Sequence, residues 1–168
     1  MTPLVVLVGP PGAGKTTVGE LLADRHHVAF RDTDRDVESR AGATISDIFV
    51  EQGEAAFRAL ERAAVRDALE QHDGVVALGG GAVLAAETRE LLTGQRVVFL
   101  DVGLATAVDR VGLNRSRPLL AINPRAELTR MLAERRPLYE QVATHVVVTD
   151  DRSPDEVADD VDVVLVLS

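Results

Sequence analysis

Leu4-Val5-Val6-Leu7-Val8-Gly9-Pro10-Pro11-Gly12-Ala13-Gly14-Lys15-Thr16-Thr17 opens the chain and decides its fold. Leu4 to Val8 is apolar at every position, which predicts a strand buried on both faces. Gly9 to Thr16 matches G-x-x-x-x-G-K-[ST] at each fixed position. It stands between that strand and a predicted helix over Thr16 to Arg25, with Val18, Leu21 and Leu22 on one face. This is the context a phosphate cradle requires. Glycines let backbone N–H groups turn inward, and the helix start adds its positive dipole end. Lys15 would reach the terminal phosphates, and the Thr16 hydroxyl would face Mg²⁺. The alternative is a glycine turn with a surface lysine. Lys15 is the only lysine in a chain with 18 basic residues. A compact ammonium suits a phosphate cluster better than a planar guanidinium.

Further along the chain, β-branched runs alternate with helical patterns. Strands are predicted at Val28 to Phe30, Val75 to Leu78, Val97 to Leu100 and Val146 to Val148, making five. Helices are predicted at Ser46 to Glu51 with Ser46 as cap, Glu54 to Gln71, Ala86 to Leu92, Ala105 to Val111, Arg125 to Glu140 and Pro154 to Val163. The alternation predicts an α/β fold of three layers, α/β/α, around a parallel sheet covered on both faces. No repeat, low-complexity linker or hinge divides the 168 residues, so one domain is expected. Val163 to Leu167 is more β-branched than a helix end favours, and the last helix is expected to stop early.

Composition narrows the function. The net charge is −9, of which −6 falls from Asp150 onward. An acidic surface argues against a nucleic-acid or anionic-membrane partner. The chain has no cysteine, so disulfides, thiolate metal sites and a cysteine nucleophile are excluded. No secretory signal pattern precedes the first strand. No apolar stretch is long enough to span a bilayer. A cytoplasmic protein is expected. His26, His27, His72 and His145 show no metal-ligand spacing. A GTPase would need an Asn-Lys-x-Asp segment, and no second lysine exists to make one.

Several residues could carry chemistry beside the cradle. Asp32-Thr33-Asp34 follows the second strand, where open α/β sheets bind ligands. One carboxylate could face a metal and the other an acceptor hydroxyl; the same residues also suit a helix start. Arg58 and Glu61 are three apart on the long helix and can pair. That pair is either a surface salt bridge or an arginine held for a carboxylate. Gly79-Gly80-Gly81 ends the third strand and could admit a ligand to the backbone, or simply turn. Arg110, Arg115 and Arg117 lie in or beside a poorly periodic segment that reads as a lid or as a solvated loop.

Together these pieces resemble the shikimate kinases, of the nucleoside-monophosphate-kinase-like branch of P-loop proteins. The matching segments are G-P-P-G-A-G-K-T-T (9–17), D-T-D (32–34), F-R-A-L-E (57–61), L-G-G-G-A-V (78–83), R-P-L-L (117–120), R-R-P-L-Y (135–139) and D-R-S-P (151–154). The resemblance implies transfer of the ATP γ-phosphate to the 3-hydroxyl of shikimate, a step toward chorismate and the aromatic amino acids. It implies a five-stranded parallel sheet in order 2-3-1-4-5, an acceptor-binding subdomain near 33–61 and a mobile lid near 112–124. Lys15, Asp34 and Arg117 would be catalytic, with Asp34 the base or orienting group. Gly12, Ala13, Gly14, Lys15, Thr16, Thr17, Arg110, Arg117, Arg152, Ser153 and Pro154 would bind ATP. Asp34, Arg58, Gly79, Gly80, Gly81 and Arg135, rather than Arg136, would bind shikimate, with Phe57 and Glu61 in support. Thr16, and Asp32 through water, would hold one Mg²⁺. A monomer binding only these small molecules is expected. Two rivals remain, a related kinase such as a gluconate kinase and a nucleotide-binding regulatory protein. Neither calls for the glycine triplet together with Asp34, Arg58 and Arg135.

Overall fold

A computed structural model of the chain describes residues 2–112 and 124–167. Five parallel strands form one sheet in the order β2-β3-β1-β4-β5. They are β1 (Val5–Val8), β2 (Phe30–Asp32), β3 (Val75–Ala77), β4 (Val97–Asp101) and β5 (His145–Val148). The helices are α1 (Lys15–His26), α2 (Thr33–Ala41), α3 (Ile45–Gln52), α4 (Glu54–Gln71), α5 (Ala86–Leu91), α6 (Leu104–Gly112), α7 (Pro124–Val142) and α8 (Pro154–Leu167). Both faces of the sheet are covered. Val5, Leu7, Val98 and Leu100 pack with α1 and α8, while Val6, Val8, Val76 and Phe99 pack with α4 and α7. This alternation explains why the central strands are apolar at every position. A third cluster, Val37, Ile48, Phe57 and Ala64, joins α2, α3 and α4.

Five sequence expectations change. β2 is Phe30–Asp32 rather than Val28–Phe30, because the Val28 N–H bonds back to the Ala23 carbonyl at the end of α1. Register with β3 therefore starts at Phe30↔Val75. This carries β2 to its final residue, Asp32, at the mouth of the site. Helix α2 follows the helix start that Asp32-Thr33-Asp34 allow, but its body carries no apolar period to predict it, since Val37 is its only fully buried large apolar side chain. Thr44, not Ser46, caps α3, accepting from the Asp47 N–H at 3.1 Å. Helix α8 does not stop early. It runs to Leu167 because Val161 and Val164 face the core, while Val163, Val166 and Leu167 are exposed. Tertiary packing outweighs the weak helix preference of valine there. Arg25 of α1 also reaches Asp155, Asp159 and Asp162 of α8. The edge strand β5 is less covered than expected, with Val146 and Val148 each 51% exposed. Among the described residues no helix is long and apolar enough to cross a membrane.

Candidate active site

The C-terminal ends of β1, β2 and β3 bring the site together. Gly12 and Gly14 take left-handed backbone conformations, with φ of 83° and 91°, which L side chains disfavour. They shape the turn from β1 into α1. The Lys15 ammonium bonds the Gly9 and Pro10 carbonyls at 2.6 and 3.0 Å. Arg110, arriving from α6, donates to the Gly12 carbonyl at 2.8 Å. A cleft of about 270 Å³ lies over this turn, with Thr16, Thr17, Asp32 and Asp34 in its wall.

Asp32 does two things at once. Its Oδ1 caps α2 by accepting from the Asp34 N–H at 2.9 Å. Its Oδ2 accepts from the Thr16 hydroxyl at 3.1 Å. Helix cap and metal-facing carboxylate are thus compatible readings of one residue. Among the described residues no cluster of three or more acidic or histidine side chains could hold a metal, and a hydroxyl with one carboxylate suits Mg²⁺, which keeps waters and takes phosphate oxygens as its other ligands.

The glycine triplet makes room for its neighbours. A side chain at Gly79 would strike the Asp34 carboxylate, and one at Gly81 would strike the Arg58 guanidinium. At Gly80 it would press on Pro11 at 3.0 Å. The Gly79 N–H is already taken by the Thr33 hydroxyl at 3.2 Å. At Gly79 the backbone N–H is therefore not a free donor. What the missing side chains supply there is close approach of Asp34 and Arg58 to the end of β3.

Beside the triplet lies a buried charged group. Arg58 donates to Glu61 at 2.8 Å, and Glu61 is 3% exposed. Burial pushes the Glu61 carboxyl above its usual range, against the opposing Arg58 guanidinium; Asp34 raises it further. Arg135 is 6% exposed, and burial lowers its pKa. The two arginines sense each other's charge, and both have a buried Nε without a protein partner among the described residues. Two cations with unspent donors in one wall are suited to a carboxylate ligand. The adjacent Arg136 is turned outward, where it grips Asp101 with both terminal nitrogens and lies over Phe99. Phe57 stacks on Phe49 and underlies Arg58.

A second recess, of about 300 Å³, opens between α1, α6 and α8. Arg110, Arg152 and Pro154 line it together with Thr149. Arg152 is held by the Val148 and Glu156 carbonyls and by Asp160. Ser153 does not line the recess. Its hydroxyl and N–H close a reciprocal cap with Glu156. The expected lid, with Arg117, lies outside the described residues. Sequence reasoning missed Thr33 and Tyr139, although both stand inside quoted motifs. It also missed Thr149, which no motif marks as polar contact or core.

A parallel sheet with a phosphate loop after β1, a carboxylate pair after β2 and buried arginines opposite defines a P-loop phosphotransferase acting on a small anionic acceptor. A sequence model of the shikimate kinase family matches residues 11–165. Shikimate kinase of Streptomyces coelicolor is 59% identical over 155 residues, covering 92% of this chain and 91% of the relative. That of Salinispora arenicola is 60% identical over 158 residues, covering 94% and 95%. A shikimate kinase structure from Acinetobacter baumannii, solved in complex with shikimate, superposes with a TM-score of 0.95 at 36% identity, covering 99% of this chain and 94% of that one. The chain belongs to the shikimate kinase family.

Proposed function

We infer that this protein transfers the γ-phosphoryl group of ATP to the 3-hydroxyl of shikimate, giving shikimate 3-phosphate and ADP. The observation that carries this is the placement of Asp34 between the phosphate cleft and the Arg58–Glu61–Arg135 wall. An acceptor whose carboxylate meets the two arginines would present its hydroxyls to Asp34. The segment 33–61 supplies Asp34, Arg58 and Glu61, and we assign it acceptor binding.

In the reaction the acceptor oxygen forms a bond to the γ-phosphorus. The bond from that phosphorus to the β,γ-bridging oxygen breaks, and ADP leaves. The hydroxyl proton passes to Asp34 or solvent. Phosphoryl transfer needs chiefly alignment and charge neutralisation. Lys15 exchanges its bonds to the Gly9 and Pro10 carbonyls for phosphate oxygens. Arg117 is assigned to the transferring phosphate. Arg110 and Pro154 flank the base in the second recess. Mg²⁺, when bound at Thr16 and Asp32, supplies further positive charge to the phosphates. A cytoplasmic monomer fits this reading.

The test is ADP release with a panel of acceptors. Turnover should appear with shikimate and be absent with gluconate or AMP, and Asp34→Ala should remove it. ADP release that ignores shikimate would sink the assignment.

A further inference from the structure

Tyr139 is the only tyrosine in the chain, and there is no tryptophan. Its ring is 1% exposed and packs on Phe99 with centroids 5.0 Å apart. A phenylalanine would fill that apolar volume equally well. A buried phenol hydroxyl must find a partner or lose its hydration uncompensated. Here it donates to the Gly80 carbonyl, in the middle of the glycine triplet. Tyr139 and Arg135 are four apart on α7, so they share a face of the helix. The Tyr139 phenol lies close enough to Arg135 to act on its charge, and with its one hydrogen given to Gly80 its oxygen keeps lone pairs free to accept. Between them, Pro137 lies inside the helix and has no N–H to offer the Ala133 carbonyl. This turn of α7 is held less by its own backbone and more by side-chain anchors.

We propose that Tyr139 is a positioning residue for acceptor binding: its hydroxyl ties the Arg135 guanidinium of α7 to the Gly80 carbonyl of the triplet. The separation between Arg135 and the wall built by Gly79, Gly81 and Arg58 is set by this one oxygen. The ring serves the core, and the hydroxyl serves the site. The proposal rests on the shikimate reading above. The two are separable, because a wild-type protein that does not turn over shikimate defeats that reading and leaves Tyr139 out of account.

Tyr139→Phe keeps the ring and deletes the oxygen. A lost hydrogen bond to a charged group should raise the KM for shikimate about tenfold. The KM for ATP should stay within about twofold, and kcat should fall little. In an Arg135→Ala background the same change should add nothing, since its effect runs through Arg135. An unchanged KM for shikimate overturns the proposal. So does an equal loss for both substrates, which marks a merely structural role, or an additive effect beside Arg135→Ala. A second readout needs no variant. Tyr139 is the only tyrosine in a chain without tryptophan, so absorbance on the long-wavelength side of the phenylalanine and adenine bands reports on this phenol alone. Shikimate should perturb that absorbance, and ADP alone should not. A spectrum indifferent to shikimate also overturns the proposal.

Discussion

Glu61 is the residue whose physics reaches furthest. It is a carboxylate under the protein surface, beside one arginine that touches it and another close enough to act on it. Burial holds its proton more tightly in the fold than in the unfolded chain. For an acid raised in the native state, stability falls as pH climbs from the usual carboxylate range through the raised value. Glu61→Gln cannot titrate. The difference in unfolding free energy between wild type and this variant should therefore decline across that window and level off above it. Urea denaturation of both proteins over a pH series measures it. A flat difference would show that Arg58 fully offsets the burial. In return Glu61 fixes one terminal nitrogen of Arg58.

At the scale of elements, the junction of β2 with α2 is what places Asp34. Thr33 begins α2, is fully buried, and joins it to the end of β3. Its hydroxyl accepts from the Gly79 N–H and donates to the Ala77 carbonyl. Thr33→Val retains the shape and removes the oxygen. It leaves a buried N–H unpaired, which costs about 1–3 kcal/mol. Chemical denaturation should show that loss, together with a lower kcat as Asp34 shifts. A variant of wild-type stability would mean that Gly79 finds another acceptor. Helix α8 makes a related point. Its arginine-bound aspartates and its buried valines together hold Pro154 and Arg152 against the second recess.

Across the whole molecule, charge is distributed so that the mean misleads. The net is −9, yet Lys15, Arg58, Arg110 and Arg135 gather around two recesses and one wall. Nucleotide binding should therefore stabilise the fold by mass action. At a hundred times its dissociation constant, ADP with Mg²⁺ contributes about 2.7 kcal/mol. In a chain of this length each kcal/mol moves Tm by roughly 2–4 °C, so a rise of about 5–10 °C is expected. Calorimetry or dye-based melting measures it. Lys15→Ala should abolish most of the rise while melting like wild type without ligand. A full rise in that variant would place the phosphates elsewhere.

The strand-loop-helix at the N-terminus, the alternation that makes a parallel sheet, and the composition that excludes thiol chemistry were all determined by the sequence alone. Each rests on local pattern: apolar runs, glycines at required φ, and a motif whose spacing is itself the mechanism. Order along the chain also bore on the choice between Arg135 and Arg136, but only through the motif, and the structure then buried one and exposed the other. The rest was decided by tertiary structure. Helix α2 has too little apolar periodicity to announce itself, and it exists because Asp32 caps it and Val37 is buried. The glycines at 79 and 81 read as ligand contacts, and only packing adds that their missing side chains make room for Asp34 and Arg58. Tyr139 has no role of its own in the sequence beyond standing in R-R-P-L-Y, and only its hydroxyl's reach to Gly80 joins it to the site. Such roles depend on which groups meet across the chain, from Arg58 with Gly81 to Tyr139 with Gly80, 59 residues apart, and no local pattern encodes a meeting at that distance.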